Sequence, residues 1–139
     1  MTSDERGQAL VESLVLGMLL ILPIVWVLMV LAEVHRSALA TTSAAREAGF
    51  DAARSGDLTA AAKSVERTAE LALANHGLEA GEANVRWSAP DGLERGARIE
   101  VHVSYPVNVM RFPFLGEVSG PPIWVRSTHI ARVDPFASR

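Results

Sequence analysis

The sequence contains no cysteine, and this absence excludes disulfide bonds, thiolate catalysis and cysteine-ligated zinc. It also lacks an excess of basic residues, since 13 Lys and Arg stand against 16 Asp and Glu in 139 residues. There is no basic block and no patch of Lys and Arg interleaved with aromatics, so we expect no nucleic-acid partner. Charge is absent altogether from residues 13–32.

This uncharged run of 20 residues lies between Glu12 and Glu33. A helix of that length spans about 30 Å at about 1.5 Å per residue, which is the thickness of the hydrocarbon core of a bilayer. The run explains how a chain with 21% charged residues has a positive mean hydropathy of +0.19. We therefore expect a membrane-anchored protein rather than a freely soluble cytosolic enzyme.

Three kinds of protein carry such a run: a secreted protein with a cleaved signal, a plain membrane anchor, and a pilin-like subunit. A conventional signal peptide has an apolar region of roughly 7 to 15 residues followed closely by an A-x-A site. Residues 38–40 supply that tripeptide, but the run is longer, and Glu33, His35 and Arg36 separate the two. The flanking residues therefore favour a helix that is retained.

A short motif precedes the run. A charged leader is followed by a glycine, four further residues and a lone glutamate next to the apolar segment, in the order Arg6-Gly7-Gln8-Ala9-Leu10-Val11-Glu12. This motif resembles the type IV prepilin signal. The resemblance implies that a prepilin peptidase cuts between Gly7 and Gln8 on the cytoplasmic face, and that the apolar helix stays in the mature chain.

Residues 6–16, with Pro23 inside the run and Glu33 just after it, are similar to the TadE/TadG-like pseudopilins of tight-adherence (type IVc, Flp-type) pili. Residues 101–107 and 124–132 are similar to the strands of that family more loosely. Ser13 departs from the pattern, because many relatives have an aromatic residue there. Since residues 33–139 follow the run, a minor pseudopilin fits better than a short major pilin.

The resemblance implies the partners and the location of the chain. The partners are the prepilin peptidase, other pilin or pseudopilin subunits, an inner-membrane pilus assembly platform and the lipid bilayer. The location is the bacterial inner membrane, with a single pass, a C-terminal domain outside the cytoplasm, and a route into an extracellular filament for adhesion or secretion. The positive-inside rule favours the opposite orientation, because Arg6 precedes the run while Arg36 and Arg46 follow it. The rival interpretation is an uncut, single-pass anchor that displays a binding module.

Glu12 and Pro23 are the candidate assembly residues. A charged side chain in a spanning helix costs roughly 2.5 to 3.5 kcal/mol at the centre and less near the interface, so it usually has a partner. Cutting after Gly7 would create an amino group on Gln8 that could pair with Glu12 of a neighbouring subunit; the alternative is that Glu12 is a hydrated flank. Pro23 cannot bond to the carbonyl of Leu19 and predicts a kink or a locally melted turn. That irregularity is either neutral or a point where packed stalks bend.

The pattern predicts an α+β protein with a leader at 1–7, a transmembrane and extended stalk helix at 8–55, and a small α+β domain at 56–139. Asp57 is expected to cap a second helix over 58–75, and Gly77 to end it. Strands are expected at 84–88, 98–105 and 123–133, with an irregular loop at 106–122. The predicted inner face of the second helix consists of Leu58, Ala61, Ala62, Val65, Ala69 and Ala72.

Small residues recur along the extended stalk at Ala38, Thr41, Ala45, Ala48 and Ala52. This stripe permits close approach of another helix, or it covers the domain behind it, since alanine is also the best helix former. The apolar residues 109–115 are expected to fold back over the core, or else to form a contact surface for a partner.

No pattern of catalytic or metal-binding residues is present in the sequence. The four histidines, His35, His76, His102 and His129, have no metal-ligand spacing. His102 and His129 fall on neighbouring strands and are expected to be a solvated pair on one sheet face. We therefore predict no catalytic activity, no cofactor and no metal.

Overall fold

The computed structural model describes residues 3–109, 111–112, 116–117 and 120–135. The elements in chain order are helices α1 (Ser3–Arg54) and α2 (Leu58–Asn75), a 3-10 helix (Ala80–Glu82), and strands β1 (Asn84–Ser88), β2 (Arg98–Val107), β3 (Arg111–Phe112), β4 (Gly116–Glu117) and β5 (Ile123–Arg132). The predicted α+β architecture of a long apolar helix, one further helix and an antiparallel sheet is confirmed.

The first half of α1 is an exposed apolar rod. Large apolar side chains from Leu10 to Leu31 are exposed all round the helix, and its most apolar window has a mean hydropathy of 3.0, so the helix is long and apolar enough to span a membrane. α1 is helical without interruption through Pro23. Of the two irregularities expected there, the locally melted turn does not occur, because proline removes one hydrogen bond and the neighbouring turns of α1 keep theirs; the kink stays a prediction.

The second half of α1 is the spine of the domain. Ser37, Ala40, Thr41, Ala44, Ala45, Ala48 and Ala52 have no exposed surface. They are covered by α2 on one side and by β2 and β5 on the other. A Cβ on Gly49 would lie 3.1 Å from Cδ2 of His129 and 3.4 Å from Cβ of Ala131. The small residues therefore serve close packing inside this chain, the second of the two interpretations of the stripe, although Ala38 is half-buried.

Both ends of α2 form at the residues that the sequence indicates. Oδ1 of Asp57 accepts a hydrogen bond from the amide of Ala60 at 2.8 Å, which satisfies a free N–H of the first turn. At the other end Gly77 has a φ of 70°, and the amide of Leu78 reaches the carbonyl of Leu73 at 3.1 Å. This is the Schellman arrangement, which requires a left-handed residue and so favours glycine.

The inner face of α2 differs from the prediction at its two ends. Ala61, Val65, Ala69, Ala72 and Leu73 are buried. Leu58 is 51% exposed, because the first residue of α2 lies beyond the core, and Ala62 is half-buried. Leu73 was missing from the predicted face, although it fills a large share of the core near the C-terminus of α2.

The three long strands form an antiparallel sheet in the order β1-β2-β5. Ile99, Val101, Val103, Tyr105 and Val107 of β2 are buried against the helices. Intervening residues of β2 point to the other face and are exposed or half-buried. The domain is thus a layer of helices on one face of a sheet whose opposite face is exposed.

The predicted irregular loop at 106–122 is partly ordered into strands. β2 continues through Pro106 to Val107, and β3 pairs with β4 as a separate ladder. Proline is tolerated at position 106 because the pairing of β1 with β2 stops at Ser104, opposite the first residue of β1. Pro106 therefore has a neighbouring strand, β5, on one side only. Most side chains of the apolar residues 109–115 lie outside the described residues, so their expected packing over the core stays a prediction.

Candidate functional site

The predicted processing site lies in the first turns of α1. Gly7 and Gln8 are both helical, and Gln8 is exposed. A Cβ added to Gly7 would meet nothing within 4 Å outside the local helix backbone. The fold itself therefore leaves room for a side chain at this position.

Glu12 lies on the same face of α1 as Gln8, because residues four apart follow one another along a helix face. Both side chains are exposed, and the two Cα atoms are separated by about 6 Å of helix rise. A shallow, open groove runs past them and is lined by Gly7, Gln8, Val11, Glu12, Val15 and Leu16. Within the described part of the chain, Glu12 forms no ion pair.

This arrangement offers a carboxylate at the edge of an apolar surface, with room beside it. A cation that approached along the groove could pair with Glu12 while its neighbours packed on Val11 and Val15. Burial of that carboxylate without a cation would be costly, because a lone charge loses its hydration. The geometry fits both expectations for Glu12: a hydrated flank, and a carboxylate that is completed by a cation from outside the chain.

Pro23 is distant from this site. It lies 11 residues beyond Glu12, which corresponds to about 16 Å along the helix axis, and its side chain is exposed. The structure therefore does not bring the two predicted assembly residues together. Any role of Pro23 would be separate from that of Glu12.

Two polar contacts lie in the part of the domain next to the apolar run. Arg36 donates to both carboxylate oxygens of Glu33 at 2.8 Å, and both side chains are about half exposed, so the pair adds little stability. The hydroxyl of Tyr105 donates to Oε2 of Glu82 at 3.1 Å. Burial raises the pKa of Tyr105, and its hydrogen bond to Glu82 and the charge of that carboxylate raise the pKa further.

The expected solvated pair of His102 and His129 is wrong. In the strand register His102 is opposite Thr128 while His129 is opposite Val101, so the two rings lie on different faces of the sheet. Nδ1 of His102 is 2.8 Å from the Thr128 hydroxyl on the exposed face. The ring of His129 instead packs 5.3 Å from that of Phe50, centroid to centroid, under α1.

No group of three or more His, Asp or Glu side chains close enough to hold a metal ion occurs among the described residues. Surface features that the sequence interpretation missed are apolar instead. Ile123 and Trp124, at the start of β5, are 50% and 46% exposed, and Leu39 and Phe50 of α1 are also exposed. Alternation along β5 could have identified Trp124, since it shares the outward register of Arg126 and Thr128.

Comparison of the chain with protein-family models, with curated proteins and with solved structures gives no match.

Proposed function

We propose that this protein is a minor pseudopilin that takes part in the assembly or priming of a tight-adherence type IV pilus. The observation that carries the proposal is the division of α1 into two halves. The first half exposes apolar side chains all round, while the second half is buried as the spine of a small domain. One rigid helix thus joins a lipid-compatible stalk to a folded head, which is the form that a subunit needs to pass from a bilayer into a helical filament.

In the membrane-bound state the apolar part of α1, residues 13–32 and called the stalk from here on, would span the inner membrane once. Residues 56–139 and the buried second half of α1, which form the domain, would lie outside the cytoplasm. The prepilin peptidase would remove residues 1–7 and leave the stalk in place. The platform and the other pilin or pseudopilin subunits would then replace lipid around the exposed stalk. The proposal assigns the chain no catalytic role, no cofactor and no metal.

Glu12 would act during that replacement. Cleavage after Gly7 would create an α-amino group on Gln8, and the open groove beside Glu12 would leave room for the amino terminus of a neighbouring subunit. The two charges would neutralise each other in the low-dielectric seam between stalks, where either one alone costs several kcal/mol. Glu12 is exposed and forms no ion pair within the described part of the chain, so it is available for this role.

A second candidate function is an uncut membrane anchor that displays a binding module. The uncovered outer face of the sheet favours it, because that face presents Trp124 and Ile130 to solvent. Under this proposal the stalk would remain in lipid and the motif around Gly7 would not be processed.

The intact mass of the native protein separates these candidates. A chain that begins at Gln8 supports the pseudopilin, whereas retention of residues 1–7 supports the uncut anchor. A chain that begins at Thr41 would contradict both, because it would mean cleavage after the A-x-A tripeptide at 38–40 and loss of the stalk.

Replacement of Glu12 tests the assembly role. We expect Glu12→Ala to be cleaved and to stay in the membrane, but to be lost from sheared pili and from complexes with partner pseudopilins, since the new amino group on Gln8 has no counter-charge. Glu33→Ala is the matched control, because Glu33 is the carboxylate at the other end of the same apolar run. Undiminished recovery of the cleaved Glu12→Ala protein would remove Glu12 from the mechanism.

A further inference from the structure

Helix α1 and strand β5 run side by side in the same direction, so the position of a β5 residue along the axis of α1 can be worked out from the contacts between them. Gly49 contacts β5 at His129 and Ala131, and seven residues earlier the hydroxyl of Thr42 is 3.3 Å from that of Ser127. From Ser127 down to Trp124 is about 10 Å of strand, which equals about seven residues of helix. Trp124 therefore lies near the level of residue 35 of α1.

Strand β2 agrees with this level. Trp124 pairs with Pro106, the residue after Tyr105, and the charge of Glu33 is among the causes that raise the pKa of Tyr105. Glu33 is the first charged residue after the apolar run. Residue 35 lies two residues, or about 3 Å of helix rise, beyond Glu33. The start of β5 is therefore close to the level at which the apolar run ends.

At this level two apolar side chains at the start of β5 are about half exposed, beside the charged side chains of Glu33 and Arg36 on α1. Ile123 is 50% exposed and Trp124 is 46% exposed. Arg126, on the same outward register as Trp124, is exposed as well and lies two residues, or about 7 Å, farther from the stalk. Tryptophan is enriched where acyl chains meet headgroups, and arginine binds phosphate above that level. The order of these side chains along β5 is thus the order of groups across a membrane interface.

We propose that Ile123 and Trp124 form a second membrane contact, seated among the lipid headgroups of the leaflet from which the stalk emerges, with Arg126 on lipid phosphate. This inference rests on the proposed insertion of the stalk. Two contacts on one rigid body would fix the domain in a single orientation on the bilayer. Extraction of a subunit into a filament would then have to lift this edge from the lipid as well as withdraw the stalk.

The absence of cysteine allows a direct test with single-cysteine variants of the full chain in nanodiscs of phosphatidylethanolamine and phosphatidylglycerol. A nitroxide label is placed at Ile123→Cys, at Ile130→Cys and at Met18→Cys, and its collisions with oxygen and with a water-soluble nickel chelate are measured. Ile123 and Ile130 are a matched pair, since both are isoleucines of β5 that are 50% exposed. They differ in level by seven residues, about 23 Å of strand, and in face, because Ile123 shares the inward register of Val125 and Ile130 the outward register of Trp124.

We expect the Met18 label to report the membrane interior, the Ile130 label to report water, and the Ile123 label to collide several-fold less with the chelate than the Ile130 label does while oxygen still reaches it. If the Met18 label is deep and the Ile123 label is as accessible to the chelate as the Ile130 label, the second contact is overturned and the anchoring stands. If the Met18 label itself reports water, the anchoring fails and the contact fails with it. Shielding of the Ile123 label from both oxygen and chelate would mean that protein, such as a second copy of the chain, covers the site, and would also overturn the proposal.

Discussion

Replacement of Ala48 by leucine tests whether the small residues of α1 pack within this chain. Ala48 has no exposed surface, and a Cβ on the adjacent Gly49 would lie 3.1 Å from the His129 ring. Three extra carbons therefore find no room unless α1 moves away from its neighbours. Overpacking of a filled core costs about 1–3 kcal/mol, and each kcal/mol lowers the Tm of a domain this size by about 4–8 °C, so we expect a fall of about 4–24 °C.

The matched control is Ala74→Leu, since Ala74 is an exposed helical alanine on α2. We expect this variant to stay within about 0.5 kcal/mol of the parent. Thermal unfolding of the detergent-solubilised full chain, followed by near-ultraviolet circular dichroism, compares the two. Equal Tm values for Ala48→Leu and Ala74→Leu would refute the reasoning, because they would mean that the small residues face a surface that tolerates bulk.

Further predictions concern processing, pH dependence and capping. Gly7→Arg should block cleavage without harm to the fold, since nothing in the chain opposes a side chain there; an immunoblot band that still shifts by the mass of residues 1–7 would contradict the cut site. Tyr105→Phe should lower the free energy of unfolding by about 0.5–1.5 kcal/mol through loss of the hydrogen bond to Glu82. The pKa of Tyr105 is raised above 10.0 in the folded state, so its contribution to the free energy of unfolding is complete below pH 10.0 and is lost as pH rises through the folded-state pKa. Denaturant unfolding across that pH range should show a loss of stability in the parent that the Tyr105→Phe variant lacks. Asp57→Ala should lower the denaturant midpoint by the equivalent of about 1 kcal/mol, whereas Asp57→Asn should retain most of the cap, and equal midpoints for the two variants would argue against the bond to the Ala60 amide.

The element boundaries were predictable where a local interaction sets them. Asp57 caps the first turn of α2 with its own side chain, and Gly77 ends the helix because it adopts a positive φ. Each of these signals acts over three or four residues, so it can be recognised without knowledge of the rest of the fold.

Features that depend on tertiary packing were not predictable in the same way. Periodicity could not decide whether the small residues of α1 face another subunit or this domain, because both surfaces need close approach. The separation of His102 from His129 depends on the register of β2 against β5, and a shift of one residue would have reversed it. The membrane contact proposed for Ile123 and Trp124 depends on their position along α1. The contact between Thr42 and Ser127 establishes that position, and the sequence alone does not give it.

The continuity of α1 constrains how any force on the stalk reaches the domain. α1 is helical without a break from the apolar run into the buried second half of the helix. Ser37, five residues past the end of that run, is already fully buried. Those five residues amount to about 7.5 Å of helix, which leaves no length for a flexible linker between stalk and domain. A rotation or displacement of the stalk would therefore be transmitted to the sheet through the packed alanines of α1. If the stalks pack side by side in a filament, their packing angle would fix the orientation in which each domain presents its uncovered sheet face.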